Sequence, residues 1–72
     1  MLKRNEVEDI KRIYQVGMRV RLLKMDDFQA PPIGTEGTVC GVDDAGNVRI
    51  LWDIGSYLSS VMGEDEIEII SR

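Results

Sequence analysis

Histidine is absent from this 72-residue chain, and cysteine occurs once, at Cys40. Without an imidazole, Ser56, Ser59, Ser60 and Cys40 have no base of the usual kind to activate them, so nucleophilic hydrolysis finds no support. A lone cysteine excludes an internal disulfide and points to a reducing compartment; its neighbours Val39 and Val42 favour a small thiol packed in a strand. With no histidine and one cysteine, a mononuclear zinc site within one chain is not expected. Proline is confined to Pro31 and Pro32, and the only aromatics are Tyr14, Phe28, Trp52 and Tyr57, so the core must be mostly aliphatic. No apolar run approaches membrane-spanning length, and the charged start Met1–Glu6 leads into acids rather than an apolar stretch. The expected location is therefore cytoplasmic, with no membrane contact. No P-loop, G-x-S-x-G or G-x-G-x-x-G is present. The chain reads as a non-enzyme with no catalytic residue, no metal and no cofactor.

What is present suits one small soluble domain: 43% of residues are hydrophobic and 31% charged. At this length the stability margin is thin, and self-association would relieve it. The net charge of −4 is unevenly spread. Residues 1–24 carry seven bases against three acids, whereas residues 25–72 carry two bases against ten acids. Whether this bipolarity survives in space depends on the fold.

Residues 5–16 predict a short helix, with Val7, Ile10, Ile13 and Tyr14 forming one apolar stripe. Asn5 is placed to cap it, with Glu8 three residues later; Glu8 and Arg12 are spaced for an ion pair, and Gly17 for a left-handed C-terminal residue. A helix this short must dock its stripe, on the rest of the chain or on a second copy as a homodimer.

From Met18 to Leu23 the pattern alternates, with Met18, Val20 and Leu22 facing one way. A long loop follows through Pro31 and Pro32, and then Gly37–Val42 and Val48–Asp53 form a hairpin about the Asp43–Asn47 turn. Gly41 is placed for a bulge, and Gly46 or Asn47 for the left-handed turn position. Tyr57–Val61 and the Ile67–Ile69 region supply two more strands. The expected fold is mainly β: a small SH3-like, five-stranded antiparallel barrel over residues 17–72, preceded by a short N-terminal α-helix within residues 1–16. The expected core is Val20, Leu22, Val39, Val48, Ile50, Trp52, Leu58, Ile67 and Ile69.

The run Gly17-Met18-Arg19-Val20-Arg21-Leu22, then Ala30–Val39, Val42-Asp43-Asp44 and Trp52-Asp53-Ile54-Gly55, resembles the small bacterial and phage family called domain of unknown function 4314. The resemblance runs from about Gly17 to Ile70 and leaves the helix outside. It implies a setting in bacteriophage or other mobile genetic elements and brings no established activity. The same skeleton is more loosely similar to SH3-like peptide-binding modules of eukaryotic ubiquitin ligases, which supports the fold and is silent on ligand.

Two surfaces compete as binding sites. The first is the long loop and its surroundings, Asp26, Asp27, Phe28, Pro31, Pro32, Ile33 and Tyr57, where SH3-like barrels bind peptides. It predicts a protein-interaction module, one version being an inhibitor whose acids imitate phosphates to occupy a host nucleic-acid-handling complex. The second is a basic strand face of Arg19, Arg21, Lys24 and Arg49, with Lys11 and Arg12 in support, which would track a nucleic-acid backbone. The plain alternative for that face is pairing with the surplus acids, and the plain alternative for the paired aspartates is turn-making rather than cation binding.

Overall fold

The computed structural model describes residues 2–71. In chain order it has one helix, α1 (Arg4–Ile13), and four strands, β1 (Arg19–Lys24), β2 (Glu36–Val42), β3 (Val48–Trp52) and β4 (Glu66–Ser71). The strands form one antiparallel sheet in the order β3-β2-β1-β4, which does not close on itself.

The helix starts one residue before the expected Asn5 cap and ends three before Val16. Lys3 occupies the cap position, and the Glu6 carboxylate accepts its backbone N–H at 3.4 Å. Asn5 therefore lies inside the first turn, and Glu6 rather than Glu8 closes the cap. The ion pairs shift as well: Arg4 pairs with Glu8 and Arg12 with Asp9, in place of Glu8 with Arg12. Tyr14 turns extended after donating to the Ile10 carbonyl, because Met18 and Gln15 then form their own turn. Gly17 does take a positive φ of 93°, but in that turn rather than at the helix end.

Val7 and Ile10 of the stripe dock within the chain, on the β2–β3 turn, whereas Ile13, expected on the same stripe, is 53% exposed. Gly46 adopts the left-handed conformation, with φ of 86°. A Cβ there would lie 2.6 Å from Leu2 Cδ1, 3.3 Å from Ile10 Cδ1 and 3.4 Å from Val7 Cγ2. Glycine thus does two jobs at this point: it makes the turn and leaves room for the helix. Asp43 shapes the same turn, its carboxylate accepting from the backbone N–H groups of Ala45 and Asn47 at 2.9 Å each. Those bonds, the one from Asn47 N–H foremost, hold the Asp43 carboxyl below the usual range.

Alternation along β1 and β3 sends Val20, Leu22, Val48, Ile50 and Trp52 inward, where with Met18 and Val39 they form the buried core. Met18 joins this core in addition to the residues expected; Leu58, Ile67 and Ile69 pack against it only half-buried. The β2–β3 register shifts between Val39 and Gly41, the bulge expected near Gly41.

Tyr57–Val61, expected as a continuous strand, meets β3 through isolated bridges, Leu51 with Tyr57 and Val48 with Ser60, and through the Leu58 N–H, which donates to the Ile50 carbonyl at 3.2 Å. Part of the reason that it forms no continuous ladder is Trp52. Its indole N–H donates to the Leu58 carbonyl at 3.0 Å and takes up an acceptor that a ladder would use. Four strands and a bridged segment stand where five strands were expected.

Candidate functional site

A groove of about 790 Å³ opens where the start of the long loop faces the stretch from Tyr57 to Asp65. One wall is Lys24, Met25, Asp26 and Asp27; the other is Tyr57–Ser59, Val61 and Gly63–Asp65; Arg49 and Ile50 lie between. Each wall is held by local bonds. Met25 packs half-buried on the core, the Asp27 carboxylate accepts the Gln29 N–H at 2.8 Å, and Ala30 N–H returns to the Asp27 carbonyl at 2.9 Å. Across the groove, Asp65 accepts the Val61 N–H at 2.8 Å, while Glu64 and Asp65 N–H groups turn back on the Val61 carbonyl. The aspartates at Asp27, Asp43 and Asp65 thus make turns.

Among the described residues, Lys24, Arg49, Asp26, Asp27 and Glu64 enter no ion pair. The groove therefore presents uncommitted charge, with acids in excess. Tyr57 stands 71% exposed beside it. No group of three or more Asp, Glu, Cys or His among the described residues is placed to hold a metal ion.

Of the residues assigned to the protein-binding loop, the groove gathers Asp26, Asp27 and Tyr57 only. Phe28 is 97% exposed on the same loop, and Pro32 and Ile33 are exposed beyond it. Pro31, on the same loop, is buried. It fixes the returning limb of the loop, which Thr35 then secures through a 2.6 Å hydroxyl bond to the Pro32 carbonyl.

The four bases assigned to a nucleic-acid face do not come together as free charge. Arg19 forks onto Asp53, at 2.8 Å and 2.5 Å, and reaches Glu36 at 3.5 Å. Arg21 binds Glu68 at 2.6 Å and Glu36 at 3.6 Å. These bonds raise both guanidinium pKa values, chiefly through Asp53 and Glu68, and Arg19 in turn holds the Asp53 carboxyl below its usual range. Lys24 and Arg49 instead line the acidic groove. Of the helix bases, Lys11 lies 3.4 Å from Asp44, and Arg12 is taken by Asp9.

A family model described as a domain of unknown function (DUF4314) matches residues 3–70. The chain belongs to that family. The match takes in α1, which the resemblance read from the sequence had left outside, so helix and sheet fall within one family unit. A search of curated proteins returned no match.

Sequence reasoning named neither Leu23 nor Ile54 as a site residue; they are 45% and 62% exposed. Ile54 carried a signal: an isoleucine between Asp53 and Gly55 sits in a turn, where an apolar side chain has little core to reach.

Proposed function

We propose that this chain is a non-enzymatic protein-interaction module of a phage or other bacterial mobile element, engaging its partner through the groove between the long loop and the Tyr57–Asp65 stretch. The observation that carries the reading is the uncommitted acidic charge of Asp26, Asp27 and Glu64 beside exposed Tyr57, in a concavity large enough for a peptide segment. Excess acid favours a basic partner, which fits the more specific version in which the module occupies a host nucleic-acid-handling complex in place of phosphates. The same reading takes the fold as an SH3-like barrel with Tyr57–Ser60 as its fifth member. In support, that segment bridges the outer side of β3, so the five pieces run β4, β1, β2, β3 and Tyr57–Ser60.

The test is capture of partners from bacterial lysate by the immobilised chain at low and high salt. A specific partner held by the wild type, released by salt and lost in Asp26→Lys/Asp27→Lys and in Tyr57→Ala, is the expected result. Failure to retain any protein at low salt would remove this reading. Direct nucleic-acid binding remains the competing proposal, and the pairing of Arg19 and Arg21 with acids weighs against it.

A further inference from the structure

The long loop leaves β1 at Lys24 and enters β2 at Glu36, and the turn after β3 begins at Asp53. All three points lie at one end of the sheet. Arg21 is paired with Glu36, Gly37 with Trp52, and the Asp53 N–H donates to the Glu36 carbonyl at 2.9 Å. The opposite end carries the β2–β3 turn and the docked helix. At the loop end, and nowhere in the expected core, sit Leu23, Ile33 and Ile54, with exposed Phe28 on the loop that springs from it. Leu23 is there because the β1–β4 register slips between Leu22 and Lys24, which leaves it unpaired with β4. The Gly34 N–H meets the Leu22 carbonyl at 2.8 Å, so Ile33 enters the same end directly beside β1.

Among the described residues, four of the eight exposed large apolar side chains fall at this end, while Ile13, Val16 and Ile70 lie elsewhere and Tyr57 lines the groove; apolar exposure concentrated beside charged groups suits a contact surface. Acids outnumber bases around these four, with Lys24 the unpaired base next to Leu23. Asp26 and Asp27 follow Leu23 on the loop, and Glu66 opens β4 opposite Lys24. Among the described residues none of these three carboxylates is ion-paired, whereas Arg19 and Arg21 are already neutralised by Asp53, Glu36 and Glu68. Two copies meeting end to end would bring these unpaired acids together, and an anionic membrane or nucleic acid would meet the same repulsion.

We infer that this end of the sheet, centred on Leu23, Ile33 and Ile54 with Phe28 as its projecting anchor, is a docking surface for a protein segment carrying apolar side chains flanked by Lys or Arg. The inference rests on the reading of the chain as a protein-interaction module and extends the contact beyond the groove, to residues on the far side of the long loop. An exposed phenylalanine gains most from binding, because it gives up nearly all of its hydration only in the complex.

The experiment titrates the ¹⁵N-labelled chain with a synthetic amphipathic peptide of Leu and Lys, and separately with its Leu/Glu counterpart and with anionic phospholipid vesicles. The Leu/Lys peptide should shift the amides of Leu23, Phe28, Ile33 and Ile54, and the other two probes should not. Ile54→Lys and Leu23→Lys alter exposed side chains, and unchanged melting curves would confirm that both variants fold. Each should weaken the peptide at least tenfold. Shifts confined to Tyr57–Asp65, with both variants binding as the wild type does, would overturn this inference and leave the groove reading standing. No binding of the Leu/Lys peptide at millimolar concentration would overturn it too, and partner capture through the groove would then decide the broader reading separately. Equal binding of the acidic peptide or of vesicles would sink the assigned partner chemistry. So would a dimer in sedimentation that Ile54→Lys dissociates, since the surface would then serve a second copy.

Discussion

Trp52 joins three parts of this molecule through one side chain. Its ring is fully buried in the core, its indole N–H holds the Leu58 carbonyl, and its face covers Gly37, where a Cβ would lie 2.9 Å from Trp52 Cε3. Trp52→Ala should cost about 3–5 kcal/mol. Small domains have about 0.05–0.15 kcal/mol of stability per residue in total, so urea titration followed by circular dichroism should find this variant largely unfolded. Trp52→Phe keeps most of the burial and strands the Leu58 carbonyl, for a loss of about 1–3 kcal/mol. The carboxylates of Asp43 and Asp53 give a second prediction, in pH. Both have folded pKa values below the ordinary 3.8, Asp43 through the Asn47 N–H and Asp53 through Arg19. The unfolded chain therefore binds more protons in this window, and stability rises with pH across it. The contribution is fully present above the unfolded value and is lost as pH falls through the lower folded values. The urea midpoint should hold steady from neutrality down to about pH 5 and then decline. Combining Asp43→Asn with Arg19→Met should flatten that decline; an unchanged acid limb would show that these two groups do not govern it.

Among the elements, α1 depends most on its neighbours. A helix of 10 residues is not stable alone in water. Its apolar side chains reach the β2–β3 turn only because residue 46 lacks a Cβ and accepts a positive φ. Gly46→Val should displace Leu2, Val7 and Ile10 and strain the turn as well. Hydrogen exchange should then show lost protection in Arg4–Ile13 with strand amides still protected, and Val7→Ala, which leaves the turn intact, should give a milder form of the same pattern. Uniform loss across helix and sheet would mean that the two unfold as one unit. Of the expected stripe Val7, Ile10, Ile13 and Tyr14, spacing placed Val7, Ile10 and Tyr14 correctly, but Ile13 is 53% exposed, and the ends of the helix were not legible. Glu6 and Glu8 both offer a carboxylate near the cap, and only the local path of Lys3 selects Glu6.

Over the whole molecule the charge is rearranged by topology. The basic first third of the sequence includes β1, and the sheet places β1 between β2 and β4, with the end of β3 near by. Arg19 and Arg21 are thereby set against Asp53, Glu36 and Glu68, acids that lie 15 to 47 positions away along the chain. The expected outcome for nucleic acid follows. Titration of labelled single- and double-stranded DNA and RNA at two salt concentrations should show no saturable binding, and Arg21→Glu should change nothing. Binding whose log K falls with log salt by about 0.7–0.9 per phosphate contacted, and which Arg21→Glu abolishes, would instead establish the strand face as the site.

By itself the sequence determined the β-rich class, the inward set Val20, Leu22, Val39, Val48, Ile50 and Trp52, a turn with its left-handed position at Gly46 or Asn47, and the bulge near Gly41. These follow from two-residue alternation and from what glycine alone permits, both of which are local along the chain. Only the tertiary structure decided that Pro31 is buried, that Tyr57–Ser60 bridges rather than forms a ladder, and that Arg19 and Arg21 are spent on acids. Only it brought Leu23, Ile33 and Ile54 to one end. Each of these depends on which distant residues become neighbours. An ion pair or a shared surface has no period along the sequence, because it forms across strands rather than along them.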